Sequence, residues 1–274
     1  MKRAVRATLG VSLLAAASVC GSCGGGSGPT APSLTSPVPG PAGGVCGVIG
    51  GANQVSLGIV NGTVCSSANT PVVLLNLRDK DGGPSGACSG TIIAPRAVLT
   101  AAHCLVGDTA AVRVYRGSGD QVAAASFHAN PRYRANDSSS LDVGVIVTEQ
   151  DLDRPIVPLL VSRDAQVGEQ AVIAGWGKDE SGIGTTLRAG TTSILVVGAV
   201  FLQTRHTTGT SGVCSGDSGG PLLLSEGGVW AVAGVTSATD TGAFCTEGAN
   251  YFANVRNPDI TAFILGLVPN ASRR

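Results

Sequence analysis

The segment Gly216–Pro221 reads Gly-Asp-Ser-Gly-Gly-Pro and constrains the fold of this chain more than any other stretch. Its glycines and proline are too dense for the interior of a helix or a strand, so we expect Ser218 on an exposed turn. A serine hydroxyl becomes a good nucleophile only when a neighbouring base removes its proton, and histidine is a common base. The segment therefore indicates nucleophilic catalysis, provided that the fold brings a histidine to Ser218.

The chain has three histidines, and all of them precede Ser218. In the α/β-hydrolase arrangement, which also presents a serine within Gly-x-Ser-x-Gly, the catalytic histidine follows the serine. That arrangement is excluded, and the order histidine, aspartate, serine remains. His103 ends a strand-like apolar run and is the candidate base. We interpret His128 and His206 as structural or solvated residues.

Two motifs resemble those of a known family. Residues 100–104 read Thr-Ala-Ala-His-Cys, and they precede the Gly-Asp-Ser-Gly-Gly-Pro segment with 218 − 103 = 115 residues between histidine and serine. Together the motifs resemble those of the chymotrypsin/trypsin family of serine proteases. The resemblance implies an all-β fold with two six-stranded antiparallel β-barrels and a C-terminal helix. It also implies a serine endopeptidase that cleaves protein or peptide substrates through an acyl-enzyme, without a metal or other cofactor.

The third member of such a triad is a carboxylate, because a buried anion fixes the tautomer of the histidine and stabilises its charged form. Asp142 is the best candidate, since apolar residues flank it at positions 141, 143, 145 and 146. Asp120 and Asp137 instead lie among glycine, serine and asparagine. The segment around Asp142 also resembles the Asp-Ile-Ala-Leu strand of the family.

Further roles follow from positions in the family motifs. The backbone N–H groups of Gly216 and Ser218 would form the oxyanion hole, which binds the negative oxygen of the tetrahedral intermediate. Ser237 matches the serine that supports the triad aspartate. Trp176, in Ala-Gly-Trp-Gly, matches a structural motif and is interpreted as a packing residue.

A stretch near residue 59 resembles the mature N-terminus of family members. Gly58–Cys65 reads Gly-Ile-Val-Asn-Gly-Thr-Val-Cys, with a cysteine 65 − 59 = 6 residues after the isoleucine. In the family, cleavage before this isoleucine frees an α-amine that pairs with the aspartate beside the nucleophile, here Asp217. The resemblance implies a zymogen and an activating protease. The residue before Ile59 is glycine rather than the usual basic residue, and Val48–Gly51 is a second, poorer match upstream.

The specificity pocket is predicted by counting back from the nucleophile. In the family, the residue at 218 − 6 = 212 lies at the pocket floor, and an aspartate there selects Arg or Lys. This chain has Gly212 and Val213, and Thr239 narrows the entrance if the family register holds. Burying an unpaired charge is costly, so we expect cleavage after neutral residues of small to medium size, as in elastase-like enzymes. Asp240 or Glu247 could restore a preference for cations by turning inward.

The eight cysteines suggest a protein that leaves the reducing cytosol. The resemblance implies the disulfides Cys88–Cys104 and Cys214–Cys245, which leaves Cys46 and Cys65 to pair with each other. Six cysteines allow fifteen pairings, so the sequence alone leaves the connectivity open.

Residues 1–23 are typical of an export signal, because Lys2, Arg3 and Arg6 precede a short apolar stretch. That stretch is too short to span a bilayer as a mature helix. Cys23 loosely resembles the lipid-acceptor cysteine of a bacterial lipoprotein, and ordinary signal cleavage nearby is the alternative. We expect a bacterial-type exported member of the family that is secreted or held at the cell envelope, with membrane contact only through a lipid.

Composition supports a turn-rich β protein, with 40 glycines, 14 prolines and 13% charged residues. Residues 24–58 are interpreted as a Gly/Pro/Ser-rich tether and prosegment. Short apolar stretches separated by Gly, Pro, Asn and Asp then predict an all-β barrel or sandwich after residue 59. The family resemblance implies an N-terminal barrel over 59–153 and a C-terminal barrel with a terminal helix over 154–274. The helix is expected at Pro258–Leu267, where apolar residues recur at helical spacing.

The net charge is zero, and no basic patch points to a nucleic acid partner. We expect a monomer. A catalytically silent binding or adhesion protein on the same fold is the alternative to an enzyme. Proteins of that kind usually lose a triad residue, and this chain keeps all three.

Overall fold

The computed structural model describes residues 44–50, 53–57, 59–119, 121–179, 182, 184, 186–207, 209–240, 245 and 247–274, with the backbone alone for residues 53–57. The predicted export signal at residues 1–23, with the candidate lipid acceptor Cys23, lies outside the described residues. The same is true of the tether up to residue 43.

The described chain is built mainly from β-strands. The strands are β1 (Asn53–Leu57), β2 (Thr63–Cys65), β3 (Val72–Arg78), β4 (Pro84–Ala94), β5 (Ala97–Thr100), β6 (Ala111–Tyr115), β7 (Gln121–Ala129), β8 (Gly144–Thr148), β9 (Gln170–Gly175), β10 (Arg188–Val197), β11 (Phe201–His206), β12 (Pro221–Glu226), β13 (Val229–Thr239) and β14 (Gly248–Asn254). The helices are α1 (Gly44–Val48), a 3₁₀ helix (Ala102–Leu105) and α2 (Pro258–Leu267).

Two closed antiparallel barrels result from the pairing of these strands. The first runs in the order β3-β4-β5-β8-β7-β6 and closes on itself. The second runs β9-β10-β11-β14-β13-β12 and closes through the pairing of β12 with β9, while β1 and β2 extend it at β10. The predicted fold class is confirmed.

Side chains alternate between core and solvent along several of these strands. In β6, Val112 and Val114 are buried, whereas Ala111 and Arg113 are exposed, as the alternation in sequence predicts. Apolar side chains fill the barrel interiors, and the largest apolar cluster joins residues of both barrels, such as Leu99 and Val232.

Helix α2 begins and ends at the residues that the sequence periodicity predicts. Asn257 caps it, because its side-chain oxygen accepts hydrogen bonds from the N–H groups of Asp259 (3.0 Å) and Ile260 (3.2 Å). Ile260 and Ile264 are its buried residues. Among the described residues, no helix is both long and apolar enough to cross a membrane.

Two segments differ from expectation. The apolar run Ile194–Leu202, whose composition alone predicts a single strand, contains the turn between β10 and β11, which the N–H of Gly198 stabilises by bonding to the Phe201 carbonyl (2.9 Å). A glycine within an apolar run permits such a turn. The end of the expected prosegment is also structured, since α1 and β1 lie within it.

Three disulfides join the described cysteines, and they occupy the expected positions. The pairs are Cys46–Cys65, Cys88–Cys104 and Cys214–Cys245. The first connects α1 to the end of β2, and the second connects β4 to the 3₁₀ helix that carries His103. Covalent links of this kind indicate a protein that works outside the cytosol.

Candidate active site

The histidine and the aspartate of the predicted triad come from the first barrel. His103 lies in the 3₁₀ helix after β5, and Asp142 lies just before β8. Pairing of β5 with β8, including Thr100 with Gly144, brings the two segments side by side. His103 and Asp142 are 39 residues apart in sequence, and the pairing of β5 with β8 brings them into contact.

Asp142 is buried, and its carboxylate accepts three hydrogen bonds. Oδ1 accepts the backbone N–H of His103 at 2.9 Å, and Oδ2 lies 2.7 Å from His103 Nδ1. Ser237 Oγ donates to the same Oδ2 at 2.6 Å. Because an ionised carboxylate only accepts, Nδ1 of His103 carries the proton. The other ring nitrogen, Nε2, is left unprotonated and can act as a base.

Ser218 comes from the second barrel and is held against the first by its backbone. The N–H of Ser89 donates to the Ser218 carbonyl at 2.8 Å, and that carbonyl lies 3.9 Å from the sulfur of Cys104, the residue after His103. Gly219 has a φ of +83°, and a Cβ there would lie 2.0 Å from Thr100 Oγ1. No hydrogen bond joins Ser218 Oγ to His103 among the described residues. Such bonds are often long in the absence of substrate.

The two predicted oxyanion donors lie on either side of Asp217. Gly216 has a φ of +97°, a conformation that favours glycine. Its carbonyl accepts a hydrogen bond from Ser89 Oγ at 2.8 Å. Within the described part of the chain, the N–H groups of Gly216 and Ser218 donate to no acceptor. Both are therefore available to a substrate oxygen.

Asp217 is fully buried between two backbone donors. Its carboxylate accepts the N–H of Gly177 at 2.8 Å and the N–H of Cys214 at 2.9 Å. A Cβ at Gly177 would lie 2.5 Å from the carboxyl carbon of Asp217, so glycine is needed there. Burial raises the pKa of Asp217 to about 6, because the charged form is poorly solvated.

Ile59 and Val60 lie beside the segment that holds Asp217. Val60 pairs with Gly212, whose N–H donates to the Val60 carbonyl at 3.1 Å. The side chain of Ile59 is buried, and its φ is +37°, which is unfavourable for a β-branched residue. The predicted N-terminus thus already contacts the segment that leads to the nucleophile.

The predicted pocket residues lie on two segments of the second barrel. Gly212 and Val213 precede Cys214, and Val213 is buried in the apolar cluster of the second barrel that includes Ile59. Thr239 is half-buried at the end of β13, where its Oγ1 donates to the Ala249 carbonyl at 3.1 Å.

Comparison with known proteins assigns this arrangement to a family. The trypsin family model matches residues 59–260. The chain belongs to the trypsin family. It is a serine endopeptidase.

The similarity of this protease to curated relatives covers most of the two barrels. It is 31% identical to serine protease SP24D of Anopheles gambiae over 190 residues, which are 61% of this chain and 68% of that protein. It is 33% identical to chymotrypsin of Phaedon cochleariae over 197 residues, 62% of this chain and 71% of the relative. Vitamin K-dependent protein C of Mus musculus is 28% identical over 230 residues, 70% of this chain but 48% of protein C.

Among solved structures, HL collagenase has the same fold. The two superpose with a TM-score of 0.65 at 21% identity, covering 77% of this chain and 98% of the collagenase. At that identity the likeness concerns the fold alone. SP24D, the Phaedon chymotrypsin and protein C come from insects and a mammal, so they give no support to a bacterial-type assignment.

Ser89 is a site residue of the protease that the sequence did not reveal. Its hydroxyl donates to the Gly216 carbonyl and accepts the N–H of Trp176 at 2.9 Å, while its own N–H bonds to Ser218. It therefore holds both ends of the tripeptide that contains Asp217. In the sequence, Ser89 is marked only by its position after Cys88. A serine within a strand is not by itself evidence of a functional role.

A cavity of about 730 Å³ lies beside His103 and Asp142. Aromatic side chains of Tyr133, Phe201 and Tyr251 contribute to its lining. Burial and the charge of Asp142 raise the pKa of Tyr133, so its hydroxyl remains a neutral hydrogen-bonding group. The cavity has the size and the apolar lining to accept side chains of a protein or peptide substrate.

One group of potential metal ligands is found in the described part of the protease. It consists of Cys88, His103 and Cys104. The two sulfurs are joined in a disulfide, so they are not available as thiolate ligands. This group is therefore not a metal site.

Proposed function

We propose that the protease hydrolyses peptide bonds through an acyl-enzyme on Ser218, with His103 as base and acid and with Asp142 orienting the histidine. The observation that carries the proposal is the Asp142 carboxylate, which binds His103 through both Nδ1 and the backbone N–H. This double contact fixes the ring and its tautomer. Ser237 would support the carboxylate by its third hydrogen bond.

In the first step, Ser218 Oγ bonds to the carbonyl carbon of the substrate while its proton passes to His103 Nε2. The carbonyl oxygen becomes an oxyanion, which accepts hydrogen bonds from the N–H groups of Gly216 and Ser218. The C–N bond then breaks, and the amine leaves with the proton from His103. The acyl group remains on Ser218 as an ester.

In the second step, a water molecule gives a proton to His103 Nε2 as its oxygen bonds to the ester carbon. The same two N–H groups stabilise the second oxyanion. The bond to Ser218 Oγ breaks, Ser218 recovers the proton from His103, and the carboxylic acid product leaves. Asp142 stabilises the charged histidine in both steps.

The same proposal includes activation by cleavage before Ile59, carried out by a separate protease. The α-amine of Ile59 would pair with Asp217, which is fully buried and whose hydrogen-bond donors within the described chain are backbone N–H groups. A positive charge there offsets the cost of burying the carboxylate. The contact of Val60 with Gly212 supports a new terminus next to this segment. The Cys46–Cys65 disulfide would retain the prosegment after cleavage.

For substrates, we infer a preference for neutral, small-to-medium residues before the scissile bond. Gly212 provides no anion, and the carboxylate of Asp240 accepts the N–H of Ala249 while its side chain faces solvent. Both observations argue against a pocket that selects Arg or Lys. We infer that Thr239 limits its width, whereas the side chain of Val213 belongs to the apolar core of the second barrel.

We also infer that the protease acts outside the cell, as a bacterial-type secreted monomer or as a lipoprotein attached through Cys23. The three disulfides support an extracellular location. Globomycin treatment of producing cells tests the lipid anchor, because a lipoprotein precursor would accumulate and a secreted protein would not.

Diisopropyl fluorophosphate tests the central chemistry, since it reacts with an activated serine and needs no substrate side chain. Processed protein should take up one equivalent of the reagent on Ser218, and Ser218→Ala should take up none. The alternative of a silent binding protein predicts no labelling of processed protein. The complete triad and the relatives named as proteases do not favour that alternative.

A further inference from the structure

Asp179 and Arg188 form a buried ion pair that the proposed mechanism does not use. Arg188 Nη2 lies 2.7 Å from Asp179 Oδ2, and only 5% of the arginine side chain and 9% of the aspartate side chain are exposed. Removing two charges from water is costly, and well-packed apolar residues in place of such a pair often give equal or greater stability. Stability alone therefore does not explain why these two charges are buried.

Arg188 lies where two strands next to the proposed activation site meet. It is the first residue of β10, and it pairs with Gly175 at the end of β9 and with Val64 in β2. Strand β2 follows Ile59, and β9 leads directly to Gly177. A change in the new N-terminal segment can therefore reach this arginine through one strand pairing.

Gly177 connects the ion pair to Asp217, the aspartate beside the nucleophile. The carbonyl of Gly177 accepts a hydrogen bond from Arg188 Nη1 at 3.3 Å, and its N–H donates to Asp217 Oδ1 at 2.8 Å. Burial raises the pKa of Asp217, and the positive charge of Arg188 acts in the opposite direction. Asp179, Arg188 and Asp217 thus belong to one buried group of charges.

The charges of this group balance only after the proposed cleavage. In the uncleaved chain, two ionised carboxylates face one guanidinium, so one negative charge is left without compensation. The α-amine of Ile59 would supply the missing positive charge. Because burying an uncompensated charge is costly, the arrangement around Asp217 is favoured when the amine is present. If Asp179 were neutral, Arg188 alone would balance Asp217 and the amine would no longer be needed.

We propose that Asp179 keeps the uncleaved protease inactive by neutralising Arg188, so that Asp217 obtains a counter-charge only from the α-amine that cleavage releases. The inference rests on the proposed function, because it takes Ser218 as the nucleophile and Ile59 as the new N-terminus. It concerns the regulation of that same site. Asp179 contacts no substrate in this account, and it determines how strongly activity depends on cleavage.

The rate at which diisopropyl fluorophosphate labels Ser218 tests this inference in the uncleaved and the cleaved chain. An enteropeptidase recognition sequence directly before Ile59 gives both forms of every variant from one preparation, and intact mass confirms which form is present. Uncleaved wild type should be labelled much more slowly than cleaved wild type. In Asp179→Asn, the ratio of the uncleaved rate to the cleaved rate should rise about tenfold, since coupling between two sites typically changes an equilibrium by factors of about 5 to 150.

Three further variants separate the effect of charge from a merely structural effect. Asp179→Asn combined with Arg188→Gln has the same net charge as wild type and should return the ratio to the wild-type value. Asp179→Glu keeps the negative charge and should keep the low ratio. Asp164→Asn is the surface control, because Asp164 is an exposed acid 3.8 Å from Arg256, and it should leave the ratio unchanged.

The possible failures are distinguishable. If cleaved Asp179→Asn is labelled like wild type but the ratio does not rise, Asp179 does not inhibit the uncleaved chain, and the proposed function stands. A raised ratio that persists in the double variant also overturns the inference, because charge is then not the cause. The same holds if Asp179→Asn and Asp179→Ala both fail to fold while Asp179→Glu folds. If cleaved wild type is not labelled at all, the proposed function fails, and this inference fails with it.

Discussion

The candidate catalytic centre and the buried residues behind Gly212 and Val213 differ in how their polar groups are arranged. In the catalytic centre, Asp142 binds His103 and Ser237 over 2.6 to 2.9 Å, so each group is fixed by short hydrogen bonds. Behind Gly212 and Val213, the contacts of the buried Asn250 are 3.3 to 3.4 Å long, and His206 packs against Gly212.

This difference distinguishes residues that take part in the chemistry from residues that do not. The catalytic groups must keep one geometry, because proton transfer and charge stabilisation depend on distances of about 3 Å. The residues behind Gly212 lie outside the hydrogen bonds of the candidate triad. We therefore expect substitutions of His103, Asp142 or Ser218 to abolish turnover and substitutions of Asn250 or His206 to have smaller effects on it.

The largest expected effect comes from removing the nucleophile. Ser218→Ala should lower kcat by about 10⁶-fold, because the triad acts as a unit. The fold should remain, since Ser218 is only half-buried and its backbone contacts persist. Ser215→Ala, an exposed serine of the same loop, is the matched control and should keep the wild-type rate. Full proteolysis by purified Ser218→Ala would refute the mechanism.

Next in size is the loss of the carboxylate that orients the histidine. Asp142→Asn should lower kcat by about 10⁴-fold, because an amide cannot hold the same tautomer of His103. The exposed Asp151→Asn serves as control and should be neutral. Steady-state kinetics on a peptide amide provides the measurement, and a loss smaller than tenfold would mean that Asp142 does not orient the base.

The third-largest expected effect concerns activation by cleavage before Ile59. Protein cleaved before Ile59 should be active, and Asp217→Asn should reduce that activity about 100-fold or more, because the new amine loses a buried partner. N-terminal sequencing of the active species identifies the cleavage site. An active species that still begins upstream of residue 58 contradicts the zymogen proposal.

The raised pKa of Asp217 gives the uncleaved chain a distinctive pH dependence. The pKa is about 6 in the folded protein against 3.8 for an ordinary aspartate, so the folded state binds the proton more tightly. The free energy of unfolding should therefore fall as pH rises from about 4 to about 6, by roughly 3 kcal/mol in total. Urea unfolding in the Ser218→Ala background measures this slope. Adding Asp217→Asn should remove it, and an unchanged slope would assign the titration to another group.

The smallest expected effect concerns Ser89, which positions the oxyanion loop without contacting substrate. Ser89→Ala should lower kcat about tenfold with little change in KM, because the Gly216 carbonyl loses its hydroxyl donor. Thr148→Val, which removes a buried hydroxyl bonded to the Gln150 carbonyl, is a matched control in the first barrel. Equal kinetics for the two variants would show that Ser89 has no role beyond packing.

The candidate catalytic residues could be chosen from the sequence for a physical reason. A nucleophilic serine needs a glycine-rich turn and a buried acid needs an apolar flank, so Ser218 and Asp142 carry local signals. Alternating residues such as Val112 and Val114 likewise indicated strands, and the apolar spacing of α2 indicated its bounds. The two-barrel fold then followed from the family resemblance.

The surroundings of Gly212 could not be predicted in the same way. Asn250 lies 32 residues after Ser218 (250 − 218), and it reaches the N–H of Val213 only through the pairing of β14 with β11 and β13. That register depends on a shift between Thr236 and Ala238, which no local pattern in the sequence reveals. His206 was interpreted as structural or solvated because a lone histidine carries no indication of its neighbours, and it is buried against Gly212.

Trapping the acyl-enzyme tests the central claim most directly. Processed protein is mixed with a peptide ester of a small residue, quenched in acid within milliseconds and digested for mass spectrometry. The proposed mechanism predicts an added mass equal to the acyl group on the peptide that contains Ser218, and no addition in Ser218→Ala. Rapid hydrolysis of the ester with the acyl group on another residue, or with no acyl group on the protein, would contradict the mechanism.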